Sequence, residues 1–415
     1  MTLTHIIVLA AVALLIGMVR SSAWRGWVLM GVCVLAIYWM QPSTPVRHLD
    51  FWLPTASLLL VILTWIATRP PMPIQTRADF LAGGLAVLIV LGLGLMRYVE
   101  PLCCLTPTKP PEVLVIGLAI GLATTTVLGT ARFFPNRAHL AIPLAVLILM
   151  VFLFLKTNPL GEVASAWLRS ASGQQVSLAS ALDLRWLGFS YLAFRLLHTL
   201  RDHAAGKLPA LSLRDYLTYA FFFPAYTAGP IDRVQRFSGD LAKPFTLTAA
   251  VLVQGGQRLA LGVFKKFVLA DGLALFALNE VNAQQTASTG WLWLLLYAYS
   301  FRIYFDFSGY TDIAIGLGNL AGIRLPENFD RPYLKPNLTS FWNSWHITLA
   351  QWFRAYFFNP FTRSLRSQPA ISVTTVVLAG QVATMVLIGL WHGVTWNFVA
   401  WGLWHGLGLF VHNRW

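Results

Sequence analysis

Residues 3–19 read LTHIIVLAAVALLIGMV, an apolar stretch that starts almost at the first residue of the chain. Its length fits the roughly 17 to 25 residues that a helix needs to cross the hydrocarbon core of a bilayer. It lacks a basic N-terminal region, and no small-x-small cleavage site precedes a soluble domain. We therefore interpret this stretch as a retained membrane span rather than a secretory signal.

Further apolar stretches of similar character follow, separated by short polar breaks, at residues 27–40, 51–67, 80–96, 113–129 and 140–155. The composition of the whole chain agrees with them: 57% of residues are hydrophobic, 11% are charged, and the mean hydropathy is +0.63. Ordinary soluble domains do not reach these values. The sequence thus predicts an all-α, multi-pass membrane protein.

The net charge of +14 comes from 30 Lys and Arg against 16 Asp and Glu. In a membrane protein, such an excess reports orientation rather than nucleic-acid binding. The breaks after the first, third and fifth spans carry an excess of basic charge, whereas basic and acidic residues balance in those after the second and fourth; the basic residues of the first group are Arg20, Arg25, Arg69, Arg77, Arg132 and Arg137. This bias predicts an N-terminus outside the cell and a first loop in the cytoplasm.

Cysteine and glycine patterns carry little functional information. Cys33 lies in an apolar span, and Cys103 and Cys104 lie in a Pro-flanked loop without a partner at metal-ligand spacing. We expect no disulfide framework, thiol nucleophile or metal site. The glycine clusters at residues 92–94 and 316–318 follow no predicted strand, so close helix packing explains them better than a phosphate-binding loop does.

The chain changes character near residue 157. We predict a wall of membrane spans at 1–156, an extramembrane loop with a short amphipathic helix at 157–183, and a functional core at 184–415, where polar residues enter the apolar segments. Arg302 and Asp306 stand four residues apart on one helical face, and a local ion pair is as good an explanation as a functional role. Lys265 and Lys266 are interpreted as snorkelling to the interface.

Two histidines stand in this apolar, tryptophan-rich context: His346 in FWNSWHIT (341–348) and His392 in GLWHGVTW (389–396). Ionisable side chains at membrane depth are costly and are therefore candidates for function. A neutral imidazole enters a bilayer at modest cost and still exchanges a proton near neutral pH. A structural hydrogen-bonding role is the alternative for either one, and packing is the favoured role of most of the surrounding tryptophans.

Five runs of residues resemble the successive motifs of the membrane-bound O-acyltransferase family: YFDFSGYTDIAIG (304–316), PENFDRPY (326–333), FWNSWHITL (341–349), WFR (352–354) and WHG (391–393). The resemblance covers about residues 185–415. It implies a ring of tilted helices around a central funnel or tunnel, with His392 as the catalytic residue and His346 as the second polar residue of the site. Residues that would line or support the tunnel are Trp391, Asn343, Trp345, Asp306, Arg302, Arg354 and Asn397.

The same resemblance implies transfer of an acyl group from a cytoplasmic thioester to a hydroxyl group of a polysaccharide or cell-wall polymer outside a bacterial cell. Acetyl-CoA or an acyl carrier protein would be the donor substrate, with no bound cofactor, and an acyl-relay protein and membrane lipid would be further partners. Residues 308–312 and 327–333 are similar to alginate and other polysaccharide O-acetyltransferases. Residues 191–197 and 393–408 are more similar to the D-alanyl transfer branch of teichoic acid synthesis, which is the alternative.

Two features depart from the family pattern. After Arg354 the chain lacks the Pro-Leu-Gly-Gly-Asn-Arg run that is usual there, and it stops at Trp415, so we expect a truncated C-terminus. Outside this family, a membrane transporter explains intramembrane charges and broken helices equally well, but no internal repeat relates the two halves of the chain. A structural scaffold would tolerate replacement of both histidines.

Overall fold

The computed structural model describes residues 1–69, 77–99, 105–133 and 137–414. Cys103, Cys104 and Trp415, which entered the sequence analysis, lie outside the described residues, as does the side chain of Arg137. Over those ranges, the regular structure is helical, apart from one isolated β-bridge between Phe329 and Trp345. The predicted all-α fold class is confirmed.

Each of the first six predicted spans coincides with a helix, namely α1 (Leu3–Gly17), α2 (Ser22–Trp39), α3 (Leu49–Thr68), α4 (Arg77–Leu95), α5 (Val113–Phe133) and α6 (Ala141–Lys156). Helices α2 to α5 are long and apolar enough to cross a membrane, whereas α1 is shorter. The chain is a multi-pass membrane protein, as its sequence predicts.

Helix α6 ends at Lys156, and the chain turns by 95° into α7 (Asn158–Ala171). Thr157 has an extended backbone and Pro159 follows in the first turn of α7, where a missing N–H costs nothing. The Asp183 carboxylate accepts hydrogen bonds from Ser165 and Arg169 of α7, both at 2.7 Å. The segment predicted as a loop with a short helix therefore folds back on that helix, while its position outside the membrane stays a prediction.

The remaining chain forms shorter and longer helices in alternation, namely α8 (Phe189–Ala204), α9 (Leu213–Ala220), α10 (Phe223–Tyr226), α11 (Val234–Ala242), α12 (Ala249–Val263), α13 (Asp271–Ala274), α14 (Glu280–Gln285), α15 (Thr289–Leu320), α16 (Leu338–Trp342), α17 (Ile347–Phe353), α18 (Asn359–Arg366), α19 (Val373–His392) and α20 (Trp396–His412). Two π-helical turns extend α12 and α17, at Phe264–Ala270 and Arg354–Phe358. Of these helices, α19 is long and apolar enough to cross a membrane.

Glycines let two pairs of helices approach closely. A Cβ atom on Gly262 of α12 would lie 2.6 Å from the carbonyl oxygen of Gly309 in α15. A Cβ atom on Gly402 of α20 would lie 2.5 Å from Cα of Val386, so α19 and α20 form a tight antiparallel hairpin. This hairpin places His392 at its turn.

Contacts between loops divide the molecule into two faces. On one face, Gln174 of the 157–183 segment bonds to the backbone of Pro45 and Arg47, and His48 bonds to the carbonyl oxygen of Lys109. On the other face, Arg214 bonds to the carbonyl oxygen of Ala23, and Trp65 to that of Leu211. The breaks after α2, α4 and α6 thus share one face, and those after α1 and α3 share the opposite face.

A cavity of ≈ 630 Å³ lies among α3, α4 and α5, with Trp52, Val90 and Val127 in its lining. It is separate from both histidines, and the funnel or tunnel at the centre of the fold stays a prediction.

Candidate functional site

His346 is held in a strained backbone conformation immediately before α17. Its φ of +46° lies in the left-handed region, which residues other than glycine adopt uncommonly. Two backbone hydrogen bonds hold the chain on either side of it: Ile347 donates to the carbonyl oxygen of Asn328 at 2.9 Å, and Asp330 donates to that of Ser344 at 3.0 Å. The loop that contains Asn328 therefore fixes the position of His346.

The side chain of Asn328 also orients the imidazole of His346. Both residues are buried. The Thr348 backbone N–H can only donate, and it lies 3.2 Å from Oδ1 of Asn328, which identifies that atom as the amide oxygen. The same oxygen lies 3.1 Å from Nδ1 of His346. Nδ1 must then carry the hydrogen, which leaves Nε2 as the basic nitrogen, 3.5 Å from the hydroxyl oxygen of Tyr191.

His392 differs from His346 in being exposed. Its ring stacks on Phe398 with a centroid distance of 5.6 Å and packs edge-on against Trp391 at 4.6 Å and Trp401 at 6.0 Å. Within the described ranges, no protein group forms a hydrogen bond with this imidazole. Both ring nitrogens are therefore free to contact a substrate.

Trp391 joins the two histidines into one site. Its ring centroid lies 5.9 Å from that of His346 and 4.6 Å from that of His392. Tyr191 and Phe194 of α8 pack against the same indole, each at 5.9 Å. The indole Nε1 of Trp391 is buried without a hydrogen-bond partner among the residues described. The structure thus places the two histidines that the sequence singled out on either side of one indole, whose N–H has no partner among the described residues.

The other predicted site residues lie around this centre rather than in contact with it. Trp345 packs against Phe329 at 5.2 Å and Phe341 at 5.7 Å, and so supports the loop before His346. Asn343 accepts a hydrogen bond of 2.8 Å from Arg354, and both side chains are exposed. Asn397 is exposed in the first turn of α20.

The charged residues of α15 pair differently from the sequence interpretation. Asp306 forms an ion pair with Lys266, not with Arg302, and Lys265 pairs with Asp312 at 2.6 Å. The close crossing of α12 and α15 brings the two lysines within reach of α15 carboxylates, which a contact between helices permits and a single-helix pattern cannot reveal. Lys265 and Lys266 thus pair with carboxylates of α15, and their position at the membrane interface stays a prediction.

Asp330 likewise pairs with Lys335 at 2.7 Å instead of its neighbour Arg331. Arg331 has a positive φ of +46° at the start of a 3-10 turn. Since adjacent side chains diverge at such a turn, the lysine five residues away is the available partner.

Tyr191, Phe307 and Asn328 contact His346 and were not singled out by the sequence analysis; the ring centroid of Phe307 lies 4.8 Å from that of the imidazole. Phe307 and Asn328 lie in runs that carry the family resemblance, at 304–316 and 326–333, and Tyr191 lies in the segment 191–197 that is similar to the D-alanyl transfer branch. None of these segments indicates which of its side chains faces the histidine. Within the described ranges, no cluster of three or more His, Cys, Asp or Glu side chains has the arrangement of a metal site.

Comparison with known proteins places this site in a family context. The model of the membrane-bound O-acyltransferase family matches residues 143–415, which include both histidines. A teichoic acid D-alanyltransferase of Streptococcus thermophilus is 34% identical over 239 residues, which are 56% of this chain and 58% of that protein. A probable alginate O-acetylase of Azotobacter vinelandii is 38% identical over 219 residues, 52% of this chain and 42% of that protein.

A peptidoglycan O-acetyltransferase of Helicobacter pylori is 35% identical over 203 residues, 48% of this chain and 37% of that protein. The chain therefore spans between about a third and three fifths of the length of these three relatives.

Proposed function

Because this chain belongs to the membrane-bound O-acyltransferase family, we propose that it moves an acyl group from a thioester donor to a hydroxyl group of a cell-surface polymer. The acyl group in this proposal is acetyl, and the acceptor is a polysaccharide or cell-wall polymer on the outer face of a bacterial cell membrane. The names of two relatives, an alginate O-acetylase and a peptidoglycan O-acetyltransferase, support that choice.

The observation that carries the proposal is the pair of histidines on either side of Trp391. His346 is buried, and Asn328 fixes its tautomer, whereas His392 is exposed with both ring nitrogens unoccupied. Attack of a hydroxyl on a thioester needs a base that is neutral near physiological pH and can reach the hydroxyl proton. His392 meets the geometric requirement, so we assign it the role of general base.

In this mechanism His392 takes the proton of the acceptor hydroxyl as the oxygen attacks the thioester carbonyl carbon. A carbon–oxygen bond forms and the carbon–sulfur bond breaks. The thiolate leaves with the proton from the imidazolium of His392, so the products are an ester and a free thiol. His346 presents Nε2 on the other side of Trp391, where it accepts a hydrogen bond from the acceptor or from the Tyr191 hydroxyl and orients the attacking oxygen.

The apolar surroundings of the site support transfer over hydrolysis. Trp391, Tyr191, Phe194 and Phe353 belong to one buried cluster beside the histidines. Such a cluster restricts access of water to the thioester and favours the polymer hydroxyl as the acceptor.

The proposed direction of transfer rests on charge. Arginines mark the breaks after α1 and α3, and we place that face in the cytoplasm, where a phosphate-bearing donor, coenzyme A or the phosphopantetheine of a carrier protein, would approach. The acceptor, or a relay protein that passes the acyl group on, would approach the opposite face.

D-alanyl transfer to teichoic acid is a second candidate. It is supported by the D-alanyltransferase match, which covers 58% of that protein, a larger share than the two O-acetyltransferase matches cover of theirs. Mass spectrometry of surface polymer from cells with and without this protein distinguishes an added acetyl group from an added D-alanyl group.

The direct test is thiol release by the purified protein in proteoliposomes, with acetyl-CoA or a D-alanyl thioester as donor. We expect His392→Ala to lower the rate about 10²-fold or more, the usual size of a general-base contribution, with the protein still folded. His203→Ala is the matched control, because His203 lies at the far end of α8 from Tyr191, and its removal should leave the rate unchanged.

Near-normal thiol release by His392→Ala would remove the assignment of the base. Substrate flux across the membrane without thiol release, unaffected by His392→Ala, would instead identify a transporter.

A further inference from the structure

The end of α6 reaches the candidate site, although sequence analysis placed it in the wall of the molecule. The backbone N–H of Val394, two residues after His392, donates a hydrogen bond of 3.0 Å to the carbonyl oxygen of Lys156. This bond ties the 95° turn between α6 and α7 to the turn that carries His392. A side chain at position 156 is therefore held next to the catalytic hairpin.

The ammonium group of Lys156 lies over aromatic rings of the site. Its Nζ is 5.7 Å from the ring centroid of Trp391 and 5.8 Å from that of Phe152. Across the part of the chain that the structure describes, no carboxylate lies within 4 Å of this nitrogen, and no protein acceptor binds it. A half-buried cation with two aromatic neighbours and no counter-ion is costly, and it attracts an anion.

A snorkelling lysine would account for a basic residue at a helix end, since its stem covers apolar surface while its head reaches water. The head group of Lys156 instead packs on the indole of Trp391, which is 9% exposed. The Nε1–H of that same indole is buried and unused. Trp391, which packs against His392, thus contacts an unpaired cation and carries an N–H donor without a partner among the described residues.

We propose that Lys156 binds a negatively charged oxygen of the acyl donor beside His392, with the Trp391 N–H as a second donor. This inference rests on the proposed acyl transfer. The charged oxygen in this proposal is the thioester carbonyl oxygen, which becomes negative as the hydroxyl attacks; the alternative is a phosphate of the donor, although the donor is proposed to approach from the opposite, arginine-rich face. A cation and an N–H group that stabilise the negative carbonyl oxygen act mainly on the rate of the chemical step. A contact with a phosphate acts instead on the affinity for the acyl donor.

The test compares Lys156→Met and Lys156→Arg with the wild-type protein in the thiol-release assay. Two acyl donors distinguish a carbonyl oxygen from a phosphate as the ligand of Lys156: acetyl-CoA, which carries phosphates, and acetyl-pantetheine, which has none. If the carbonyl oxygen is bound, Lys156→Met lowers kcat about 10²-fold with both donors, as loss of an oxyanion donor does elsewhere. A rise in KM for acetyl-CoA alone would identify a phosphate as the ligand and overturn the assignment of Lys156 to the carbonyl oxygen.

Lys156→Arg keeps the positive charge, so it should retain most of the activity that Lys156→Met loses, with either ligand. Lys109→Met is the matched control, because Lys109 is exposed on the same face of the molecule and its carbonyl oxygen contacts His48, not His346 or His392. Thermal unfolding in detergent is recorded for every variant.

Unchanged kcat and KM in Lys156→Met with both donors would overturn the inference while leaving the proposed function in place. The inference would also be overturned if Lys156→Met lowers the activity only as far as it lowers the unfolding temperature, and if Lys156→Arg does not recover that activity. A wild-type protein that releases no thiol would contradict the proposed function, and the role of Lys156 with it.

Discussion

Asn328 illustrates how one amide can position a candidate catalytic group. Its side-chain oxygen is within hydrogen-bond distance of three donors: His346 Nδ1 at 3.1 Å, the Thr348 backbone N–H at 3.2 Å and the Thr348 hydroxyl at 2.8 Å. The Thr348 hydroxyl oxygen in turn accepts a hydrogen bond from the backbone of Ile231 at 3.1 Å. One fully buried residue therefore links the His346 loop to the segment that follows α10.

Removal of this amide should destabilise the protein. Asn328→Leu is close to isosteric but leaves three buried donors without an acceptor, so we expect a loss of about 2–4 kcal/mol at roughly 1 kcal/mol or more per bond. Thr348→Val, which leaves the bonds of His346 and the Thr348 backbone in place, should cost less. Chemical unfolding in detergent, followed by intrinsic fluorescence, measures both, and equal stability of Asn328→Leu and the wild-type protein would contradict this account.

The sequence identifies His346 and His392 but not the groups that position them. Each histidine stands out because an ionisable residue is rare in apolar sequence. The roles of Asn328, Tyr191 and Lys156 depend on which side chains face one another across the fold, and no pattern of spacing encodes that. The pairing of Lys266 with Asp306 escapes sequence analysis for the same reason.

At the scale of helices, the crossing of α12 and α15 depends on glycine. Gly262 faces Gly309, and Gly255 faces Gly316, so two contacts seven residues apart set the spacing of the helices. Backbones in such close contact gain dispersion energy, which is the main source of helix association within a bilayer. The same crossing places the ammonium groups of Lys265 and Lys266 within ion-pair distance of carboxylates of α15.

We expect Gly262→Ala to lower the folded yield and the unfolding temperature, because its new methyl group would stand 2.6 Å from a backbone oxygen that cannot move independently. Gly256→Ala on the same helix is the control: nothing lies within 4 Å of its Cβ position, and alanine is the better helix former by up to about 1 kcal/mol. Size-exclusion chromatography of detergent extracts, before and after heating, compares the two. Equal behaviour would show that the close crossing does not form.

The sequence predicts the long helices well, but it predicts the geometry of the segments between them poorly. All six N-terminal spans follow from runs of apolar residues, because a bilayer imposes both a length and a composition. The position of the turn after Lys156 follows from the change of composition near residue 157, whereas its angle of 95° and the short helices between α8 and α15 depend on packing against the rest of the molecule. Helix α15 has 32 residues, about 48 Å at 1.5 Å per residue, so it crosses a hydrocarbon core of about 30 Å only if it tilts or projects beyond it.

At the scale of the whole molecule, loop contacts and charge give separate information on topology. The contacts group the breaks after α2, α4 and α6 on one face and those after α1 and α3 on the other. Charge then indicates which face is cytoplasmic, since Arg20 and Arg69 lie in the breaks of the second group and Arg25 lies in the first turn of α2 beside them. The 157–183 segment, and with it the Lys156 end of α6, would then lie toward the outside of the cell.

Cysteine labelling tests both parts of this argument. In a background with Cys33, Cys103 and Cys104 replaced, single cysteines are introduced at exposed positions: Gln175→Cys on the 157–183 face, and Ala23→Cys and Ala205→Cys on the opposite face. We expect an impermeant thiol reagent to label Gln175→Cys in intact cells, and to label the other two only after the membrane is opened.

The structure places positions 23 and 205 on the same face of the molecule. Cysteines at these two positions must therefore be labelled from the same side of the membrane, whatever the orientation. Different labelling of these two would contradict the arrangement of helices itself. Labelling of both from outside, with Gln175→Cys protected, would keep the fold but reverse its orientation. The proposed passage of the acyl group from the cytoplasm to an outer acceptor would then be wrong, because the arginine-rich face and the donor it is expected to attract would lie on the far side of the membrane.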